Sequence, residues 1–274
     1  MKANNLTISV PAPRCAKNCP FCVSKMTYGV QDNLPLFKKN LIKARKFADI
    51  ARVSSILITS KNEPIDNPDL PSIIDTFKEF PIELQTNGDK LLDDKRFIYM
   101  DHLHHTYLNT IAISISHPAT LDEKKDMIQW LHGFDFTVRL TIVLSDRWRK
   151  IELYEILQKC HDLKVSQLTF RIPSIPDQIK PDSESQGNAA WIRQHNKLYD
   201  HILFDLRAWK EEHPESLVRT LSFGAEVYDI RGIGTTIMEY CIQENHGEED
   251  IRSLIYQSDG HLYTSWDKKG SILF

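Results

Sequence analysis

The feature that most constrains the fold is a regular recurrence of short apolar segments with a strand-like composition. Five of them begin at residues 55, 82, 111, 137 and 167, so successive starts lie 26 to 30 residues apart. Another strand-like segment, residues 6–10, precedes them. A strand followed by a helix needs about this length, and strands joined in this way run parallel in a sheet. The pattern predicts an α/β fold, either a partial barrel or a doubly wound sheet, with active residues at the carboxyl ends of the strands.

Helical spacing of apolar residues fills the intervals between these strands. The helices are predicted at residues 34–52, 69–80, 120–131 and 149–161. After the last strand, the polar residues 173–189 predict a loop, and residues 190–213 predict one long helix. The tail lacks the βα rhythm, although Asp259-Gly260 predicts a hairpin turn. We therefore expect a barrel domain over residues 1–213 and a C-terminal cap, residues 214–274, that packs on it.

Composition excludes several classes of protein. The chain has 274 residues, of which 41% are hydrophobic, too many for a disordered protein. No apolar run approaches the roughly 20 residues that span a bilayer, and the first residues do not resemble a signal peptide. A net charge of −3 argues against a surface dedicated to nucleic acid. We therefore expect neither a membrane nor a nucleic acid as a partner.

Cysteine usage indicates a metal site. Of the five cysteines, Cys15, Cys19 and Cys22 form a C-x3-C-x2-C motif after the first strand, whereas Cys160 and Cys241 stand alone. An odd number of clustered cysteines fits a reducing cytoplasm and a metal site better than a disulfide framework. Three thiolates can hold an iron–sulfur cluster and leave one iron open. The alternative is a structural zinc site, which needs a fourth ligand such as Cys241 or a histidine.

Together with Phe21, which precedes the last cysteine of the motif, this arrangement resembles the radical S-adenosylmethionine (radical SAM) superfamily. The resemblance implies a partial (β/α)6 TIM-like barrel with a C-terminal extension. It also implies a [4Fe-4S] cluster on Cys15, Cys19 and Cys22, whose open iron is chelated by S-adenosylmethionine. Reductive cleavage of that cofactor yields a 5′-deoxyadenosyl radical, which abstracts hydrogen from a substrate.

A second segment resembles this family at the end of the second strand. Glu63-Pro64 is similar to the end of the family's Gly-Gly-Glu-Pro segment, which implies that Glu63 accepts the methionyl ammonium and that Pro64 fixes the turn. The sequence departs from the pattern at Lys61 and Asn62, which replace the usual glycines. The resemblance therefore preserves the ammonium site, while the local backbone is expected to differ.

Further cofactor contacts are implied at the ends of the later strands. They are Thr86 and Asn87 of a Thr-Asn-Gly segment, Ser114 and Ser116 against the ribose, Arg139 with the carboxylate, and Arg171 and Ile172 near the adenine. Arg139, Arg171 and Arg231 are also candidates to meet a phosphate or carboxylate of the substrate. The resemblance covers roughly residues 5–173.

Members of this family that modify peptides often carry a cysteine-rich C-terminal domain for auxiliary clusters, whereas the tail here contains only Cys241, too few cysteines for two such clusters. The resemblance therefore implies a small molecule or nucleotide as the substrate. An electron donor such as flavodoxin or ferredoxin is the expected protein partner. Cys241 is a candidate catalytic residue in a radical relay. Two alternatives remain open: radical modification of a peptide, protein or RNA, and a non-catalytic protein that binds zinc or an iron–sulfur cluster.

Overall fold

The structure is a computed structural model that describes residues 2–13, 15–92, 107–196, 200–221, 224–238, 251–266 and 269–274. The described residues form two compact units. The first comprises those within Met1–Asn18, Thr27–Ile111 and Ile242–Phe274, and the second those within Cys19–Met26 and Ala112–Cys241. No helix in the described ranges is both long and apolar enough to cross a membrane.

The first unit contains a mostly parallel sheet. Its strands, in chain order, are β1 (Ala3–Ser9), β2 (Ser55–Thr59), β3 (Ile82–Thr86), β10 (Ile251–Tyr256) and β11 (Leu262–Tyr263). Their order across the sheet is β11-β10-β1-β2-β3, and only the β10–β11 pair is antiparallel. The helices among the described residues of this unit are α2 (Leu34–Ile50) and α3 (Leu70–Thr76). Phe37 and Ala44 of α2 are buried, as are Ile56 and Ile58 of β2, so both elements contribute to the core.

The second unit is built on a mixed sheet, in which two of the four strand pairs given below are parallel and two are antiparallel. Its strands are β5 (Thr137–Val143), β6 (Gln167–Arg171), β7 (Leu217–Thr220), β8 (Glu226–Ile230) and β9 (Ile233–Met238). The order is β5-β6-β9-β8-β7, with β5, β6 and β9 parallel. Strand β4 (Leu108–Ile115) belongs to the first unit in its first half and to the second in its second half.

The second unit has more helices than the first. They are α1 (Val23–Met26), α4 (Pro118–Glu123), α5 (Lys125–His132), α6 (Leu153–Asp162), α7 (Ser183–His195) and α8 (Asp200–Glu212). The single helix predicted over residues 190–213 is wrong, because α7 and α8 are separate elements. The start of α7 also lies inside the predicted polar loop. Asp182 caps it, since its carboxylate accepts the Ser185 N–H at 2.8 Å.

The C-terminal tail supplies strands to both sheets. Strand β9 lies parallel to β6, and β10 lies parallel to β1. The predicted hairpin at Asp259-Gly260 is confirmed as the β10–β11 turn. The α/β class is likewise confirmed by the parallel strands and their helices, whereas packing of residues 214–274 as a cap on a barrel stays a prediction.

Candidate functional site

The Glu-Pro segment forms a tight turn at the carboxyl end of β2. Glu63 caps a short 3-10 helix, Pro64–Asp66, and its Oε1 accepts the Ile65 N–H at 3.3 Å. Proline is favoured at the first position of a helix because its φ is already set and it has no N–H to satisfy. The turn buries the Glu63 side chain, which is only 4% exposed.

The end of β3 supplies two more donors to the same carboxylate. The Thr86 hydroxyl donates to Glu63 Oε1 at 2.6 Å, and the Asn87 N–H donates to Oε2 at 2.9 Å. The Thr86 hydroxyl in turn accepts the N–H of Gly88 at 2.9 Å, where the backbone has a φ of +76° that suits glycine. The structure thus joins the two motif segments that the sequence suggested separately.

The hydrogen bonds that the Glu63 carboxylate accepts leave it able to accept one more from a ligand. Burial raises the pKa of Glu63 above its usual range, and the hydrogen bonds from Thr86, Asn87 and Ile65 oppose that rise. A carboxylate offers about four acceptor positions, and these three donors fill two on Oε1 and one on Oε2. Within the described part of the chain, one acceptor position on Oε2 therefore remains for a ligand donor such as an ammonium group.

Two asparagines fasten the segment that leads to the first cysteine. Asn62 donates from Nδ2 to the Ala12 carbonyl at 2.9 Å, and its Oδ1 accepts the Cys15 N–H at 3.2 Å. Asn67, which is buried, donates from Nδ2 to the Pro11 carbonyl at 2.7 Å. Sequence reasoning identified Asn62 only as a departure from glycine and did not identify Asn67. The signal available was a run of polar residues after a strand, which does not reveal their partners.

Cys15 is connected directly to the residue that follows β3. The Asn87 side chain donates from Nδ2 to the Cys15 sulfur at 3.8 Å, a distance acceptable for sulfur. Beside it, the Lys17 ammonium lies 2.9 Å from the Asp89 carboxylate. The first cysteine, the Glu-Pro segment and the Thr-Asn-Gly segment therefore form one hydrogen-bonded network.

Lys61 replaces one of the glycines of the resembled segment and has a structural role. Its ammonium donates to the Val30 carbonyl, and burial lowers its pKa against the opposing effect of Asp32 and Asp259. A Cβ at Gly29, where φ is +59°, would lie 2.8 Å from the Lys61 Nζ. Lys61 thus holds the chain that returns from the cysteine motif against the end of β2.

Lys61→Met is expected to lower the free energy of unfolding by about 1–2 kcal/mol, because the carbonyl of Val30 loses its donor while the aliphatic packing is kept. Urea unfolding measures the change. The matched control is Lys39→Met at an exposed position of α2, where a change within about 0.5 kcal/mol is expected. Equal effects of the two substitutions would contradict the role assigned to Lys61.

The other two cysteines of the motif lie in the second unit. The Cys22 N–H donates to the Cys19 carbonyl at 3.2 Å, and helix α1 follows at once. Met26 at the end of α1 is buried against Ala189 and Ile192 of α7. The Phe21 ring lies 5.9 Å from the Trp191 ring, centroid to centroid. Phe21 therefore packs on α7, and its expected contact with the cofactor stays a prediction.

The donor chemistry of the motif fits an iron–sulfur cluster. Cys15, Cys19 and Cys22 are only partly buried, whereas burial raises the pKa of Cys160 to about 12. Thiolate is the ligand form, so Cys160 is poorly suited to bind metal. Among the described residues, no group of three or more His, Cys, Asp or Glu side chains is placed to hold a metal ion. The ligand set therefore stays a prediction.

Three of the remaining candidates lie near the carboxyl ends of their strands. Ser116 directly follows β4, Arg171 ends β6, and Ile172 follows it with its N–H bonded to the Met238 carbonyl at 3.0 Å. Ser114 is exposed and lies two residues before Ser116, within β4. These positions are compatible with the expected ribose and adenine contacts, which the structure does not test.

Arg139 lies elsewhere. It is the third residue of β5, and its Nε donates to Oε1 of Gln167, the first residue of β6, at 2.7 Å. This placement at the amino end of the strand does not support the expected contact with a cofactor carboxylate. Arg231 also precedes its strand, β9, and its guanidinium lies 5.1 Å from the Tyr154 ring centroid. This placement likewise does not support the expected contact of Arg231 with a phosphate or carboxylate of the substrate. Cys241 lies outside the described residues.

Comparison with solved structures establishes the fold. Two structures of Streptococcus suis SuiB, one of them bound to S-adenosylmethionine, match 96% of this chain with TM-scores of 0.59 and identities of 14% and 15%. The match covers 58% and 60% of the SuiB chains, so this chain spans about three-fifths of their length. A structure of TYW1 with a lysine-pyruvate adduct covers 70% of this chain and 72% of its own, at 13% identity and a TM-score of only 0.36. No protein-family model and no curated protein sequence matches the chain.

Proposed function

We propose that this chain, which has the fold of the radical SAM superfamily, is an enzyme that cleaves S-adenosylmethionine reductively and abstracts hydrogen from an organic substrate. Cys15, Cys19 and Cys22 are the proposed ligands of a [4Fe-4S] cluster. Such a cluster, when bound and reduced, supplies the electron for cleavage of the cofactor. Cofactor and cluster binding are proposals for this chain, because SuiB is related to it only by fold.

The observation that carries the proposal is the network among Cys15, Asn87, Thr86 and Glu63. Three segments that resemble one family lie up to 72 residues apart in the sequence and are directly hydrogen-bonded in the structure. Unrelated turns are not expected to share a buried carboxylate. The network therefore supports a common site at the carboxyl ends of β1, β2 and β3.

The residues of the network have distinct proposed roles. Glu63 binds the methionyl ammonium of S-adenosylmethionine through the acceptor position left on Oε2. Thr86 and the Asn87 backbone hold that carboxylate in place, and Pro64 fixes the turn that buries it. The Asn87 side chain donates to the Cys15 sulfur, which orients the thiolate and stabilises its negative charge.

The substrate, the electron donor and the cellular compartment are also proposals. A small molecule or nucleotide is the proposed substrate, and flavodoxin or ferredoxin the proposed electron donor. The odd number of cysteines and the clustering of three of them support a reducing compartment, the cytoplasm.

The test is anaerobic formation of 5′-deoxyadenosine from S-adenosylmethionine, measured by mass spectrometry after reconstitution with iron and sulfide and reduction by dithionite. The wild-type protein is expected to form it. Cys19→Ala is expected to lose the cluster absorbance and to reduce product to background, because a missing thiolate leaves the cluster without a full ligand set.

Cys160→Ala is the matched control, because this cysteine is buried in α6 and has no proposed role. It is expected to retain both the cluster and product formation. A wild-type protein that bound zinc and formed no iron–sulfur cluster would overturn the proposal. So would product formation by Cys19→Ala at the wild-type rate.

A further inference from the structure

The second unit contains an open depression that the proposed cofactor site does not use. It has a volume of about 410 Å³ and lies between the loop after β4 and the loop after β5. Its lining residues are Pro118, Asp146, Arg147, Arg149, Lys150 and Ile151. Both loops follow the carboxyl ends of their strands, which is where α/β folds of this kind bind ligands.

The lining is strongly positive. Arg147, Arg149 and Lys150 are exposed, and within the described part of the chain none of them forms an ion pair. The single carboxylate, Asp146, lies 3.8 Å from the Nε2 of His195. Three cations facing one acid give the depression an excess of positive charge, so it attracts anions.

The backbone that carries these cations is fixed by a buried tryptophan. Trp148 is 1% exposed and donates from Nε1 to the Val143 carbonyl at 3.0 Å. Its own N–H bonds to the Ser145 carbonyl, and its carbonyl accepts the Ile151 N–H, each at 3.0 Å. A loop held in this way loses little conformational freedom when a ligand binds, which favours affinity.

We propose that this depression binds the anionic group, a phosphate or a carboxylate, of the small-molecule substrate. The identification of the ligand as a substrate rests on the proposed function. The two arginines offer planar forks of donors that match the oxygens of either anion, and Lys150 adds a third positive charge. The concave shape favours a small molecule over the flat face of an acidic protein.

The opposite end of the same unit offers a matched control. A second depression of about 390 Å³ is lined by His161, Lys164 and Arg231 next to the amino ends of β6 and β9. It is similar in volume and also positive, but it lies at the end of the strands where ligands are not expected. Removing two charges there changes the net charge of the protein by the same amount.

The test is isothermal titration of inorganic phosphate and, separately, of succinate into the intact 274-residue chain at constant ionic strength. Saturable binding of at least one anion to the wild-type protein is expected. Arg147→Gln with Arg149→Gln is expected to weaken it by at least about tenfold. Lys164→Gln with Arg231→Gln is expected to leave the dissociation constant within about twofold of the wild type.

The two titrations distinguish a phosphate from a carboxylate as the anionic group of the substrate. Binding of phosphate alone identifies a phosphorylated substrate, binding of succinate alone identifies a carboxylate, and binding of both supports the site without selecting between them. Absence of saturable binding, or an equal loss in the two double variants, would overturn the inference. The titration needs neither the cluster nor S-adenosylmethionine, so its failure and the failure of 5′-deoxyadenosine formation are independent results.

Discussion

Replacing Glu63 by glutamine is expected to weaken the binding of S-adenosylmethionine by about a hundredfold, because the ammonium loses its only proposed carboxylate partner in a buried site. The amide also places an NH2 group against one of the backbone N–H groups, of Asn87 or of Ile65, that donate to the carboxylate. The measurement is calorimetric titration of the reconstituted protein with S-adenosylmethionine under anaerobic conditions.

Glu83→Gln is the matched control, because Glu83 is also buried in the first unit but lies outside the network of Glu63. It is expected to keep the wild-type affinity. If Glu63→Gln bound S-adenosylmethionine as tightly as Glu83→Gln does, the ammonium site would have to lie elsewhere.

The affinity of the wild-type protein is also expected to depend on pH. Burial raises the pKa of Glu63 above its ordinary value of 4.5, and only the ionised carboxylate attracts an ammonium group. Affinity should therefore fall as the pH falls through this raised pKa, at a pH above 4.5. Without ligand, the stability of the protein is expected to change with pH in the opposite direction to the affinity. Because the folded protein binds the proton of Glu63 more tightly than the unfolded chain does, the free energy of unfolding falls as the pH rises through the same window. Glu63→Gln should remove both effects.

Gly260→Ala is expected to lower the free energy of unfolding by about 3 kcal/mol or more. Gly260 has a φ of +84°, and a Cβ there would lie 2.6 Å from backbone atoms of both Leu36 and Phe37 in α2. Its carbonyl also accepts the side chain of the buried Asn40 at 2.9 Å. Since α2 cannot move away without breaking this contact, the added methyl group costs more than backbone strain alone. Urea unfolding measures the loss.

Gly224→Ala isolates the contribution of the contact. Gly224 has the same φ of +84°, but no atom of the described residues that could clash lies within 4 Å of a Cβ built on it. Its replacement is expected to cost about 1–2 kcal/mol, the strain of a left-handed alanine. Equal losses at Gly260 and Gly224 would mean that the packing of the hairpin against α2 contributes nothing.

Prediction from the sequence was most accurate where a local pattern carried the information. Strands β2 and β3 begin at the predicted residues, 55 and 82, because turn residues bound each of these apolar runs. It was less accurate for α7, where polar residues 183–189 suggested a loop. Their composition conceals a helix that starts at the Asp182 cap and buries only a narrow face, including Ala189 and Ile192.

The C-terminal tail shows a second limit of prediction from the sequence. Strand β10 pairs with β1, although about 240 residues separate them in the sequence. No local sequence pattern predicts this pairing, because the contacts of the whole chain decide which strands become neighbours. The tail was therefore predicted only as a cap that contains a hairpin, and its sequence did not reveal that β9 pairs with β6 and β10 with β1.

Residue spacing and motifs alone predicted the α/β class and singled out Cys15, Glu63, Thr86 and Asn87 in the first unit. The hydrogen bonds of these residues, the fastening of the cysteine segment by Asn62 and Asn67, and the pairing of Arg139 with Gln167 are apparent only in the folded chain. They could not be predicted because side-chain partners come from strands and loops that folding brings together. Spacing along the chain predicts which face or end a residue occupies, but not which group it meets there.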